Sequence, residues 1–118
     1  MTRITLALVA TFLAGAAQAE GFLCRFVTEC YGKEACADTD YEAEMTQFGD
    51  IYILEDVAGR RGMMQVSDKD GHRALVSGNV DGTSALMTIT ADGQVIYTQH
   101  GLTDPAWQVT YHGTCEAK

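Results

Sequence analysis

Four cysteines (Cys24, Cys30, Cys36, Cys115) and three histidines (His72, His100, His112) are the side chains best suited to hold a metal or supply a nucleophile. Cys24, Cys30 and Cys36 stand six residues apart, and Cys115 lies far along the chain. Zinc sites usually bring two ligands within about two to four residues of each other, and no such pair is present. A redox Cys-x-x-Cys is absent as well. The spacing instead fits a disulfide framework. Three pairings are open. The favoured one joins Cys30 to Cys36 around a loop containing Gly32, and Cys24 to Cys115, tying the first strand to the last. The longer bridge would contribute about 4–5 kcal/mol if its effect is to restrict the unfolded chain.

Other chemistry finds little footing. Ser67, Ser77 and Ser84 lie in no Gly-x-Ser-x-Gly elbow. Asp38-Thr39-Asp40 and Asp68-Lys69-Asp70-Gly71 open like a calcium loop but lack its later ligands and its closing bidentate glutamate. The expectation is a chain without catalytic residues, metal or cofactor.

An address precedes the fold. Met1-Thr2-Arg3 is a short basic start, Ile4 to Ala17 is uncharged and mostly apolar, and Ala17-Gln18-Ala19 has the small-x-small form of a cleavage site. Residues 1–19 are therefore expected to be a cleaved secretory signal peptide. Residues 20–118 then form a single small domain, periplasmic or secreted, with no membrane segment after cleavage.

Charge is uneven along that domain. The chain carries 16 acids against 8 lysines and arginines, for a net charge of −8. Residues 29–56 hold nine acids and one base, Lys33, whereas residues 57–118 hold six acids and five bases. Such a field repels phosphates and excludes nucleic acid as a partner. It suits a cationic protein, and Glu34, Asp38, Asp40, Glu42 and Glu44 are the candidate partner surface.

The elements that would position these groups are read from the turns. Asp70-Gly71, Asp81-Gly82 and Asp92-Gly93 recur every eleven residues. Asp-Gly favours a two-residue hairpin turn, because its backbone reaches positive φ at little cost. Ile51 to Asp56 and Met63 to Asp68 flank Ala58–Gly62 as another hairpin, with Arg60-Arg61 at its tip. Leu102-Thr103-Asp104-Pro105 breaks the chain before a strand over Trp107–Thr114. Tyr41–Phe48 and Phe22–Val27 complete the set. The expected fold is all-β: an antiparallel meander of seven or eight strands forming a small closed barrel or sandwich, stabilised by disulfides.

Two-residue turns also imply a register. They set Tyr111, Ile96, Ile89 and Ala74 in one row, Val109, Thr98, Met87 and Val76 in the next, and Trp107, His100, Ala85 and Gly78 in a third. Leu75, Leu86 and Val95 then fall on the polar face as apolar exceptions, and His100 and His112 fall on opposite faces. The third row sets a large aromatic and an imidazole beside two very small side chains. It is the candidate pocket for a small apolar or aromatic ligand, which makes a small-ligand carrier the alternative to a protein-binding domain.

In architecture the chain is similar to the small periplasmic barrels that inhibit lysozymes, which are likewise exported, disulfide-tied and acidic. Ser77-Gly78 runs into Asn79-Val80, where those inhibitors have a Ser-Gly leading to a Tyr. The resemblance implies a cationic, lysozyme-like hydrolase as one partner.

Overall fold

The computed structural model describes residues 20–118; the expected signal peptide, residues 1–19, lies outside the described residues. Eight strands follow one another: β1 (Gly21–Tyr31), β2 (Ala37–Phe48), β3 (Ile51–Asp56), β4 (Gly59–Lys69), β5 (His72–Val80), β6 (Thr83–Ile89), β7 (Gln94–Gly101) and β8 (Trp107–Ala117). Each pairs antiparallel with the next, and β1 pairs with β8, so the meander closes into a barrel. Closure leaves no free sheet edge. The first and last strands are stapled where Cys24 faces Cys115 across the β1–β8 seam. The second bridge, Cys30–Cys36, pinches the β1–β2 connection. Two disulfides of this kind point to an oxidising, non-cytoplasmic environment.

Alternation fills the barrel with side chains. Cys24, Phe26, Ala43, Met45, Tyr52, Leu54, Met63, Leu75, Met87 and Tyr97 are all buried within it. Phe26, Tyr41, Tyr97 and Tyr111 form an aromatic cluster inside, with ring centroids 4.9–6.2 Å apart. The connections sort to two ends. The loop end carries the Cys30–Cys36 loop, the Val57-Ala58 and Asp81-Gly82 turns and the 102–106 connection. Glu20, Lys118 and the remaining turns lie at the other end, where the Lys118 N–H bonds to the Gly21 carbonyl at 3.0 Å.

The register departs from the one read off the turns, in three places. Asp70-Gly71 and Asp81-Gly82 do form two-residue turns with both residues at positive φ. Just before Asp81-Gly82, however, β5 bulges between Ser77 and Val80, and Asn79 Oδ1 accepts the Gly82 N–H at 2.9 Å. The third Asp-Gly is not a two-residue turn. Thr90 N–H bonds to the Gln94 carbonyl, and Gly93 N–H to the Thr90 carbonyl, enclosing Ala91-Asp92-Gly93 as a three-residue loop. The Thr90 hydroxyl reinforces it by accepting the Gln94 N–H at 3.0 Å and bonding to the Asp92 carboxylate. Between β7 and β8 the connection is centred on Asp104, which pairs Gly101 with Trp107.

Each shift is one residue, and a one-residue shift turns a strand over. The inner rows are therefore Tyr111–Tyr97–Met87–Leu75 and Val109–Gln99–Ala85–Ser77. Leu75 and Val95, expected outside, are 0% and 2% exposed, whereas Ile96, expected inside, is 44% exposed. His100 and His112 share the outer face, not opposite ones. The β3–β4 tip is Val57-Ala58, so Gly59–Gly62 belong to β4 and Arg60-Arg61 lie inside a strand.

Candidate functional site

The expected row of Trp107, His100, Ala85 and Gly78 does not exist. Ala85 is buried between Ser77 and Gln99, Gly78 is exposed at the β5 bulge, and His100 pairs with Ser84 and Gln108. Trp107 and His100 nevertheless meet, at the loop end of the barrel. They line a cavity of about 670 Å³ together with Tyr31, Gly32, Lys33, Pro105, Ala106 and Gln108. That volume falls in the range of about 300–1,000 Å³ typical of small-ligand sites.

Local structure positions each wall of this cleft. Trp107 opens β8 directly opposite Gly101, the last residue of β7, and the indole occupies the space a side chain at 101 would need. Tyr31, the last residue of β1, stacks on the indole at 6.3 Å with the planes 15° apart. The Gly32 N–H bonds to the Gln108 carbonyl at 2.9 Å, holding the disulfide loop against β8. Tyr31, Lys33 and Gln108 are wall residues that sequence reasoning missed. The available signal was Gly101: a glycine closing a strand opposite a tryptophan leaves room for the ring to lie flat.

The candidate partner surface begins on the same disulfide loop and runs along β2, the neighbour of β1. Asp38, Asp40, Glu42 and Glu44 alternate along β2 on its outer face, and Glu34 sits in the disulfide loop. Residues two apart on a strand are about 7 Å apart, so the row runs for roughly 20 Å. Glu42 is paired with Arg25 at 3.2 Å and Glu44 with Lys118 at 2.6 Å. Asp38 and Asp40 have no ion-pair partner among the described residues.

A polar cluster lies inside the barrel at the loop end. The Tyr41 hydroxyl donates to Asp56 Oδ2, and Asp56 Oδ1 accepts the Ala58 N–H at 2.8 Å. Arg61 turns inward and donates from one nitrogen to Ser77 Oγ at 3.2 Å and to the Thr83 carbonyl at 2.9 Å. Arg60 stays outside, paired with Glu55 at 2.8 Å. Burial, then the bond to Asp56, pushes the Tyr41 phenol well above its ordinary value. Burial raises Tyr97 and Tyr111 in the same direction. The cavity beside Arg61 measures about 180 Å³ and is lined by Asp56, Arg61, Thr83 and Gln99 among others, polar groups that suit bound water.

Among the described residues no three His, Cys, Asp or Glu side chains converge on a point where they could hold a metal, and all four cysteines are oxidised. No helix among those residues is long and apolar enough to cross a membrane. The architecture is a closed eight-stranded antiparallel meander barrel with two disulfides. No protein-family model, curated protein or solved structure matches the chain.

Proposed function

We propose that the domain is a non-enzymatic binding protein that works outside the cytoplasm and docks a cationic protein on its acidic β2 face. The observation that carries this reading is the unbroken outer row Asp38, Asp40, Glu42, Glu44, whose first two carboxylates are committed to no ion pair among the described residues. A row of one sign raises the encounter rate with an oppositely charged surface and fixes its orientation. The architectural likeness to lysozyme inhibitors makes a lysozyme-like hydrolase the first partner to try.

The test is surface plasmon resonance with a cationic lysozyme, beside a neutral protein of similar size. Binding to the lysozyme alone, weakening steeply between low salt and about 0.15 M, is expected. Asp38→Lys with Asp40→Lys should abolish it. Binding unaffected by salt and by that double substitution, or no binding of the lysozyme, overturns the reading.

A second reading, a small-ligand carrier, is favoured by the Tyr31–Trp107 cleft. The ligand would sit on the outside of the loop end, because the barrel interior is occupied by its own side chains.

A further inference from the structure

Within an acidic protein, the Tyr31–Trp107 cleft is lined by no acidic side chain among the described residues. Its ionisable walls among them, besides Tyr31, are Lys33 and His100. A lysine ammonium can only donate, and a tyrosine hydroxyl and an imidazole can each donate or accept. No side-chain hydrogen bond or ion pair among the described residues ties up Lys33 or His100, and Gln108 donates its amide to Thr110 at 3.4 Å. Both Lys33 and His100 are exposed and hydrated, so they can exchange water for an anionic ligand.

The apolar part of the cleft is preformed. With Gly101 beneath one side and Tyr31 stacked against it, the indole has little freedom left to lose on binding. With Gly101 and Tyr31 taking up the faces of the indole, a ligand ring lies on the exposed side of Tyr31 and against the indole edge. A flat apolar body is what such a surface accepts.

We propose that this cleft binds a small aromatic carboxylate, its ring on the Tyr31–Trp107 surface and its carboxylate held by Lys33 and His100. The proposal rests on the carrier reading above and adds the chemical class of the ligand. It is independent of the acidic β2 face, which lies on the far side of β1.

The chain has one tryptophan, so a nitrogen-15 correlation spectrum shows a single indole N–H signal, that of Trp107. Benzoate and its uncharged analogue benzamide are titrated in turn against the folded domain. Benzoate should move the indole signal to saturation. Benzamide should bind about tenfold more weakly, as expected for the loss of one charge-assisted hydrogen bond. Lys33→Ala and His100→Ala are exposed-site changes that leave the barrel intact; each should weaken benzoate and leave benzamide unchanged. If benzoate and benzamide bind equally, the charge assignment fails while the carrier reading stands. If neither moves the signal, the carrier reading fails with it.

Discussion

Trp107 lies flat against Gly101 across the β7–β8 pair, in space that no other residue type would leave open. A single methyl at 101 must displace the ring. Gly101→Ala is therefore expected to cost about 1–3 kcal/mol, the usual range for overpacking. It should also shift the fluorescence of the sole tryptophan, read alongside urea denaturation. An unchanged emission maximum would mean that the indole does not rest there.

Glycine at 113 is required for a different reason. A Cβ there would run into the backbone of Arg25 and Phe26 on β1, which cannot move aside without opening the seam that closes the barrel. Gly113→Ala should destabilise by about 3 kcal/mol or more. Gly62, by contrast, has nothing within 4 Å of an added Cβ and no positive φ. Gly62→Ala should be neutral or stabilising by about 0.4–1 kcal/mol, through loss of freedom in the unfolded chain. Denaturation midpoints of the two variants decide the contrast.

The two disulfides should contribute unequally. Cys24–Cys115 spans 91 residues and Cys30–Cys36 spans 6. By loop-closure entropy these correspond to about 4–5 and about 2 kcal/mol. Replacing both cysteines of the long bridge with alanine should lower the melting temperature markedly more than the same change in the short one, measured by circular dichroism. Equal losses would show that the bridges act by something other than loop length.

Alkali should unfold the barrel. Tyr41, Tyr97 and Tyr111 are all raised above the ordinary tyrosine value of 10.0, chiefly by burial. Above that pH the unfolded chain has lost protons that the folded one retains, so stability falls as pH rises. Their stabilising contribution is full below about pH 10 and declines above it. Phenolate absorbance at 295 nm should show these three tyrosines ionising together with loss of the β signal. Their ionisation in the intact barrel, ahead of unfolding, would contradict the burial.

Strand content, the antiparallel meander and the favoured cysteine pairing are legible in the sequence, because Asp-Gly pairs and cysteine spacing act locally or through simple chain connectivity. The choice between a closed barrel and a sandwich depends on the β1–β8 pairing and is not legible there. Nor are the faces of β5 and β7. Whether Asp92-Gly93 makes a two- or a three-residue turn depends on the Thr90 side chain capping the loop, and the β5 bulge depends on Asn79 reaching Gly82. Those are contacts of one side chain each, yet each moves a whole strand by one residue. Leu75 and Val95 carry the warning, since two buried-type residues assigned to a polar face mark a register out by one. Leu86, the third exception, does stay outside, so the pattern alone does not separate a slip from an exposed apolar residue. The pocket suffers for the same reason. Trp107 and His100 do share a cavity, but Ala85 and Gly78 are carried away from it by the shifted strands.

The Cys24–Cys115 bridge also decides how the molecule answers to mechanical force. Among the described residues, only those before Cys24 and after Cys115 lie outside the covalent ring it makes with the intervening chain. Tension applied through the two ends passes from one cysteine to the other, and the strands enclosed between them carry no load. Held in this way, the barrel can be tugged by whatever its ends are fused to without being unravelled, until a reductant opens the ring.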